Sequence, residues 1–312
     1  MSDHAAHAGY AGAPAPSRGF FDGAWFTEEK PEVSRLGLRV ASKLHEEQSA
    51  YQKITVYDTA FFGRLLTLDD LVMFTERDEF VYHEMLLHVP LLSLPAPRSV
   101  LIIGGGDCGC LREALRHPSI ERVVQCEIDE RVTAVCRDWF PWVDGAARDP
   151  RADLVFDDGV RYLDTRKGEF DLVVIDSTDP IGPAAPLFER GFYGAVARAL
   201  KPGGVMTAQT EPPHWSPELV GRIYRELRAA FSHVAAYFGT IPTYPSGSWT
   251  WAYASRERRR TDFFDAARAE TIAGACRYYH PALQEAAFVL PTLMRRAVEG
   301  EDPFRGIERL AR

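Results

Sequence analysis

The chain has 312 residues, 46% of them hydrophobic, and a formal net charge of −8 at pH 7. Such a chain can bury a full core in one large domain, or in a main domain with a smaller one. The negative charge argues against nucleic acid or an anionic membrane as a partner, because phosphates would be repelled rather than neutralised. A cationic small molecule is the better match.

The first 18 residues are rich in Ala, Gly, His and Pro and lack the basic start and apolar run of a signal peptide. We therefore expect residues 1–18 to be a disordered tail and not a membrane anchor. No run of about 18 apolar residues occurs in the rest of the chain, so no segment is expected to span a bilayer. The five cysteines form neither a disulfide framework nor a paired zinc pattern, which favours a reducing cytoplasm.

Residues 19–75 are predicted to form a small antiparallel β domain. From Ala24 onward, short stretches alternate apolar and polar residues, as in Lys53–Tyr57 and Arg64–Leu68, and turn residues such as Gly63 interrupt them. From Glu76 to Leu92 the apolar side chains follow a helical spacing, with acidic residues early, where a helix dipole favours them.

From Ser99 onward, apolar strands alternate with helices. The strand segments are 100–103, 123–128, 154–156, 172–175 and 205–209, and helices are predicted from about Leu111 and from Glu130. Leu200–Gly204 is predicted to end another helix; residues 234–255 add strands, and mixed helix continues to the end. Continuous apolar strands indicate a parallel sheet covered on both faces, so we expect an α/β catalytic domain over residues 76–312.

A glycine-rich loop, Gly104–Gly109, comes after a buried strand and opens a helix. Glycines permit a tight turn and a close approach of the backbone to a ligand, although a purely structural turn has the same pattern. The next strand ends with Glu127, about 20 residues after the loop, where an acid would accept hydrogen bonds from ribose hydroxyls. Together the loop and the acid predict a nucleoside site.

The later strand ends indicate which nucleoside this is. Asp158 and Gly159 come after the third strand, and Leu200–Gly204 precedes the fifth. This order resembles the Rossmann-like sheet of S-adenosylmethionine-dependent methyltransferases more than an NAD-binding fold. By that resemblance Asp158 and Gly159 would face the adenine, whereas Asp158 alone would be interpreted as a turn-forming residue.

Asp107 lies inside the glycine loop, where a methyltransferase would receive the amino-acid end of S-adenosylmethionine. Two like charges about 4 Å apart cost on the order of 4 kcal/mol at an effective dielectric near 20, so Asp107 opposes a ligand carboxylate. The same side chain would attract decarboxylated S-adenosylmethionine, which keeps only an ammonium. The alternative for Asp107 is a helix cap that accepts hydrogen bonds from backbone amides.

Asp176 and Asp179 lie at the end of the fourth strand of the α/β region, the edge where open α/β sheets hold ligands. Two acids there could bind and deprotonate an amine. An amine with a pKa near 10.4 is almost wholly protonated at pH 7 and has no free lone pair for attack, so a general base must take a proton.

Five segments taken together resemble the spermidine synthase (polyamine aminopropyltransferase) family. They are Thr75–Phe80, the start of the glycine loop at 104–107, Glu127–Asp129, Asp176–Pro180 and Ile241–Gly247. The similarity runs from about Trp25 to the stretch Ala286–Pro291, so it covers most of the chain with specific motifs.

The resemblance implies in-line attack of an amine on the propyl carbon next to the sulfonium of decarboxylated S-adenosylmethionine, with release of methylthioadenosine. Catalysis would then depend on positioning and deprotonation. Asp176 would accept the proton, with Asp179, Tyr82 and Tyr244 around the acceptor amine. The donor nucleoside would be held by Gln52, His83, Asp107, Glu127, Asp158, Gly159 and Pro183, the last in a closing loop. The donor is a co-substrate, no resident cofactor or metal is implied, and a homodimer or homotetramer is expected.

Alternative interpretations exist for several of these residues. His83 and His88 suggest a zinc-protease helix, but they are five positions apart and that motif requires four. Without the family, His83 and Tyr82 would be packed helix residues, and Tyr244 a rigid loop residue between two prolines.

Three departures from the family pattern leave the acceptor open. Met73 stands where the family usually has Gln, Cys108 replaces a loop glycine, and Glu211–Trp215 differs from the segment expected there. Putrescine is the expected acceptor; cadaverine, agmatine and spermidine are alternatives. A putrescine N-methyltransferase-like enzyme, whose relatives lose the loop Asp, and a polyamine-binding regulator without turnover are the other hypotheses.

Overall fold

A computed structural model of the protein describes residues 17–31, 34–180 and 182–305. It contains a six-stranded antiparallel sheet and, after it in the chain, a seven-stranded sheet flanked by helices, which confirms the predicted fold class. Residues 1–16 of the predicted tail lie outside the described residues, and the first strand begins at Arg18.

The six strands of the N-terminal sheet pair in sequence order. Their bounds are β1 Arg18–Phe21, β2 Trp25–Lys30, β3 Ser34–Gln48, β4 Lys53–Thr59, β5 Gly63–Leu68 and β6 Leu71–Thr75. Neighbouring residues of β4 and β5 face opposite sides, as the alternation predicted. Val56 and Leu66 join the main core, whereas Tyr57 and Leu65 pack with Phe26 in a small core of their own.

The seven-stranded sheet has the strand order β12-β13-β11-β10-β7-β8-β9. Its strands are β7 Ser99–Gly104, β8 Arg122–Glu127, β9 Ala152–Phe156, β10 Phe170–Asp176, β11 Leu200–Gln209, β12 His233–Thr240 and β13 Ser248–Ser255. The pairs from β11 to β9 are parallel, and β13 runs antiparallel to both of its neighbours.

Helices cover both faces of this sheet. They are α1 Glu79–Leu92, α2 Gly109–Leu115, α3 Glu130–Trp139, α4 Pro141–Ala147, α5 Gly159–Asp164, α6 Arg190–Ala199, α7 Pro217–Ala230, α8 Ala266–Ala273, α9 Leu283–Ala286 and α10 Thr292–Glu299. Val100 and Ile102 of β7 pack into the core that contains α1 and α2, whereas Leu101 and Ile103 pack into the core that contains α6 and α7. The continuous apolar strands are therefore buried on both sides, as expected.

Two element boundaries differ from the prediction. Helix α1 begins at Glu79 rather than at Glu76, because Thr75 to Asp78 form a turn in which the Thr75 hydroxyl donates to the Asp78 carboxylate (2.6 Å). Leu200–Gly204 does not end a helix: α6 ends at residue 199, and the segment already belongs to β11.

The order of the parallel strands reverses between β7 and β10. The chain runs from β7 outward to β8 and β9, and then returns to place β10 and β11 on the other side of β7. Asp176 and Gly104 are paired residues at the ends of β10 and β7. Open α/β sheets bind ligands in the crevice at such a reversal, so the glycine loop and the strand-end acids meet at that crevice.

Within the described part of the chain, no helix is both long and apolar enough to cross a membrane.

Helix α1 is held in place by a buried carboxylate on its inner face. Glu84 accepts hydrogen bonds from the backbone amides of Arg277, Tyr278 and Tyr279, at distances of 2.7 to 2.8 Å. Both of its oxygens are used, so the segment after α8 is tied to the middle of α1.

We predict that Glu84→Gln lowers the free energy of unfolding by about 2 kcal/mol, because the new amide nitrogen must face a backbone N–H. Denaturant titration measures this. The matched control is Glu285→Gln, whose carboxylate pairs with Arg260 and is 65% exposed; it should change the value by no more than about 0.5 kcal/mol. Equal effects of the two substitutions would contradict the role of Glu84.

Candidate active site

A cavity of about 420 Å³ lies between the carboxyl edge of the seven-stranded sheet and the N-terminal sheet. The predicted site residues that line it are Gln52, Tyr82, His83, Asp107, Glu127, Asp158, Gly159, Asp176, Asp179 and Tyr244. Pro183 lies in a 3-10 helix at Gly182–Phe188, and its side chain falls outside the described residues.

The glycine loop packs directly on Asp176. The Gly105 amide donates to the Asp176 carbonyl (2.9 Å), and a Cβ on Gly104 would lie 2.1 Å from that same carbonyl oxygen. Gly104 and Gly105 have φ values of 84° and 67°, in the left-handed region that favours glycine. Cys108 also adopts this region, with φ of 59°.

Asp107 and His83 form an ion pair at one wall of the cavity. The Nε2 atom of His83 lies 3.3 Å from Asp107 Oδ1, and its Nδ1 lies 2.7 Å from Glu79 Oε2. Burial lowers the pKa of His83, but Asp107 and Glu79 outweigh it and hold that pKa well above its ordinary value. Asp107 also accepts from the Gly109 amide (2.6 Å), but the N-cap residue of α2 is Cys108, so the helix-cap alternative for Asp107 is wrong.

Arg112 of α2 binds Glu79, the second carboxylate that contacts His83. Its guanidinium donates to both oxygens of Glu79, at 3.0 and 2.8 Å. Burial raises the pKa of Glu79, but His83 and Arg112 outweigh it and leave that pKa below its ordinary value. Glu79 is therefore an ionised side chain in the interior, and the sequence pattern did not identify it.

Asp176 ends β10 with a carboxylate that borders the cavity. Its Oδ2 atom is buried and has no hydrogen-bond partner within residues 17–31, 34–180 and 182–305. Burial and the charge of Asp107 raise the pKa of Asp176 to about 6, although His83 acts in the opposite direction. A carboxylate with this pKa is mostly ionised at pH 7 and can still accept a proton.

Glu127 closes the neighbouring part of the cavity. Its Oε1 accepts from the Asp129 amide (2.9 Å), and burial raises the pKa of Glu127 to about 7. Asp129 in turn accepts from the Gln52 side-chain amide (3.1 Å) and from the Ser49 hydroxyl (2.6 Å). Asp129 therefore ties the β3–β4 turn, and with it Gln52, to the end of β8.

Asp158 caps helix α5. Its carboxylate accepts from the amides of Val160 (2.7 Å) and Arg161 (3.3 Å). The turn-forming role considered for Asp158 is therefore present, and the side chain also borders the cavity. A Cβ on Gly159 would lie 2.5 Å from Ile103, so only glycine allows this close approach of α5 to β7.

A second acidic group lies around Asp179. Burial raises the pKa of Asp179, and the pKa of Glu211 is raised well above its ordinary value by burial and by Asp179. The charge of Asp179 is one cause of the raised pKa of Glu211, because two neighbouring carboxylates disfavour each other's ionised forms. The Lys30 ammonium donates to the Trp215 carbonyl (2.7 Å). Its positive charge opposes the rise in the pKa of both acids.

Aromatic rings form the wall around these two acidic groups. The rings of Tyr82 and Tyr244 have centroids 6.1 Å apart, and Tyr244 packs edge-on against Trp249 at 4.7 Å. The Tyr244 hydroxyl donates to the Met73 carbonyl (2.6 Å). The loop that carries Tyr244 is fixed by Asp78, which accepts from the amide and the hydroxyl of Thr243.

Two features of the site were not predicted: Glu79, and the pairing of Glu211 with Asp179. Glu79 is four residues before His83 on one helix, a spacing that could have identified the contact. Glu211 gave no such signal, because it meets Asp179 through the pairing of β10 with β11.

Comparison with known protein families gives two matches. Residues 79–265 match a family model described as a spermine/spermidine synthase domain. Residues 24–76 match one described as a spermidine synthase tetramerisation domain.

Individual relatives agree with these matches. The polyamine aminopropyltransferase of Thermoanaerobacter sp. (strain X514) is 44% identical over 273 residues, which cover 87% of this chain and 97% of the relative. The polyamine aminopropyltransferase of Moorella thermoacetica is 42% identical over 280 residues, covering 90% and 98%.

Solved structures are similar as well. A spermidine synthase in complex with the transition-state analogue AdoDATO superposes with a TM-score of 0.86 at 34% identity, covering 93% of this chain and 98% of that one. The spermidine synthase of Thermotoga maritima gives 0.81 at 37% identity, covering 85% and 90%.

We predict that Gly109→Ala lowers the free energy of unfolding by about 2 kcal/mol, because over-packing forces neighbours to move. A Cβ at this position would lie 2.3 to 2.4 Å from the His83 ring. The control is Gly145→Ala in α4, where a Cβ meets nothing within 4 Å. It should leave the value unchanged or raise it by up to about 1 kcal/mol. Denaturant titration of both variants decides; equal losses would refute the close packing of His83 on α2.

Proposed function

We propose that this chain, which belongs to the spermine/spermidine synthase family and is an aminopropyltransferase, transfers the aminopropyl group of decarboxylated S-adenosylmethionine to putrescine. Methylthioadenosine is the second product. The observation that carries the proposal is the presence of Asp107 and Asp176 in one cavity at the sheet's reversal point.

Asp107 supports the proposed donor. Its carboxylate borders the cavity at the start of α2, and it is held ionised because His83 and the Gly109 amide lower its pKa against the effect of burial. An ionised carboxylate at that place attracts the ammonium of the decarboxylated nucleoside and repels the carboxylate of S-adenosylmethionine. Glu127, with Gln52 nearby, accepts the ribose hydroxyls, and Asp158 with Gly159 borders the adenine.

Asp176 is the proposed base. The acceptor nitrogen arrives protonated, because its solution pKa is near 10.4. One proton moves from that nitrogen to Asp176 Oδ2, and its departure frees the nitrogen lone pair. The nitrogen lone pair attacks the propyl carbon, and the electrons of the breaking C–S bond stay on sulfur, which leaves as the neutral thioether of methylthioadenosine.

We propose that Asp179 and Glu211 share one proton and that this pair binds the far end of the acceptor. Such a pair carries one negative charge, which matches one distant ammonium. Tyr82, Tyr244 and Met73 lie along the cavity and offer ring and thioether surface to the methylenes. A diamine with an ammonium at each end matches this arrangement.

We assign no metal ion to the site. His83, Asp107 and Asp176 offer ligand atoms that all lie within 4.8 Å of one another. In the free protein, however, both imidazole nitrogens of His83 contact carboxylate oxygens, so a metal ion would first have to displace a proton from the ring. We propose that the two carboxylates receive ammonium groups.

The match of residues 24–76 to a tetramerisation domain supports a homo-oligomer, either a dimer or a tetramer. Light scattering on the eluting peak of a gel-filtration column would distinguish the two.

The experiment that tests the acceptor is a competition. The enzyme is incubated with decarboxylated S-adenosylmethionine and an equimolar mixture of putrescine, cadaverine, agmatine and spermidine, and the products are identified by mass. We expect spermidine to form first and fastest. Faster transfer to another amine would refute putrescine as the acceptor, and absence of any aminopropylated amine would refute the donor or the reaction.

We predict that Asp176→Asn lowers kcat by a factor of about 100 to 10,000, because an amide cannot take the proton. Binding of methylthioadenosine should be retained. The control, Asp153→Asn, removes an exposed strand carboxylate that pairs with Arg122 outside the cavity, and it should leave kcat unchanged. Near-normal turnover of Asp176→Asn would contradict the proposed base.

The pH profile gives a second test of Asp176. Since its pKa is raised to about 6, the base is ionised above that pH and protonated below it. We therefore expect kcat/KM for the acceptor to fall about tenfold per pH unit below pH 6 in the wild-type enzyme. The residual activity of Asp176→Asn should lack this limb; if it keeps the same limb, another group controls the profile.

A further inference from the structure

We propose that His83 loses a proton when the donor binds. The imidazolium gives up its Nε2 proton as the donor's ammonium binds at Asp107. Glu79 is the positioning residue that makes this exchange possible. This inference rests on the proposed function, since it requires a donor that carries an ammonium.

The His83 ring is fixed with both nitrogens against carboxylates. The residue is 2% exposed, with Nδ1 at 2.7 Å from Glu79 and Nε2 at 3.3 Å from Asp107. The backbone of Gly109 lies against the ring face, too close for even a Cβ to fit between them. A carboxylate oxygen lies close to each ring nitrogen, and the two negative charges favour the doubly protonated form of the ring in the free enzyme.

Every element packed around the ring is consistent with this charge. Glu79 faces it from its own helix, Asp107 from the glycine loop and Asp176 from the end of β10. Arg112 of α2 is the nearby cation, and it is bound to Glu79 rather than to the ring. Two uncharged rings also lie near it, with centroids 6.4 Å away for Phe74 and 5.4 Å for Tyr82.

Binding of the donor changes the charge that surrounds Nε2. One oxygen of Asp107 lies 3.3 Å from Nε2, so an ammonium bound to this carboxylate comes close to the ring. An ammonium beside an imidazolium is a like-charge pair in a buried place. Loss of the Nε2 proton to solvent removes the repulsion and leaves a lone pair that accepts an ammonium N–H. The ammonium brings one positive charge and the departing proton removes one, so the net charge around His83 and Asp107 is unchanged.

Glu79 determines which nitrogen keeps the remaining proton. Its contact with Nδ1 holds the proton there, so Nε2 is the atom that becomes an acceptor. Arg112 keeps Glu79 ionised and in position through two hydrogen bonds. Without the Glu79 carboxylate, the neutral ring could place its proton on Nε2 and aim it at the ammonium.

The test is calorimetry of ligand binding at pH 7.5 in buffers of different ionisation enthalpy. Decarboxylated S-adenosylmethionine is compared with methylthioadenosine, which shares the nucleoside but has no ammonium, so proton changes at Glu127 cancel. We expect the donor to release about one proton more than methylthioadenosine. At this pH Asp176, with a pKa of about 6, is already ionised and contributes little.

The same mechanism sets the pH dependence of affinity in the wild-type enzyme. A proton must leave before the donor binds well, so the donor's association constant should rise about tenfold per pH unit from pH 6.5 to 7.5, relative to that of methylthioadenosine. Equal proton release by the two ligands, or a flat affinity ratio, would overturn the inference. Failure of the donor to bind at all would instead contradict the proposed function.

Two variants assign the proton. His83→Gln should abolish the extra release, whereas His45→Gln should retain it; His45 also contacts a glutamate (3.0 Å) but lies outside the cavity. Glu79→Gln keeps the His83 ring but lowers its pKa, so the extra proton release should shrink.

Retained methylthioadenosine binding shows that a variant is folded. Full release by His83→Gln would overturn the role of His83, and full release by Glu79→Gln that of Glu79. If His83→Gln does not fold, the wild-type proton count and Glu79→Gln decide.

Discussion

The structure depends on the burial of several carboxylates around one cavity. Desolvation disfavours their charged forms, so each needs a cation, a proton or a set of N–H donors to remain there. Asp107 has the His83 ring beside it, and the raised pKa values of Asp179 and Glu211 favour a proton shared between them. Asp176 Oδ2 has no partner among the described residues, and its pKa is correspondingly raised. A cavity built in this way is a receptor for cations, with one carboxylate left to take a proton.

The fold creates this concentration of charge by geometry. Reversal of the strand order between β7 and β10 brings Gly104 beside Asp176, and the missing side chains of the loop allow direct contact with that strand end. The N-terminal sheet then covers the crevice with apolar residues such as Leu66 and Met73. Exclusion of water from the crevice strengthens the electrostatic interactions on which the proposed reaction depends.

Local patterns in the sequence were sufficient to predict most elements of the fold. Apolar runs located the parallel strands, and the rule that their carboxyl ends share an edge brought Glu127 and Asp176 to one site. Contacts made by pairing of distant segments gave no local signal, which is why the Asp179–Glu211 pair was missed. The strand start at Leu200 was masked by Pro and Gly residues that resemble a helix stop. Glu79 was within reach of prediction, because helical spacing relates it to His83.

The central claim is that Asp107 selects a donor that has an ammonium and no carboxylate. Equilibrium binding of decarboxylated S-adenosylmethionine and of S-adenosylmethionine to the same enzyme preparation tests it most directly. The opposed carboxylates cost a few kcal/mol after screening, so we expect the decarboxylated nucleoside to bind about a hundredfold more tightly or better. Equal affinities, or tighter binding of S-adenosylmethionine, would contradict the claim.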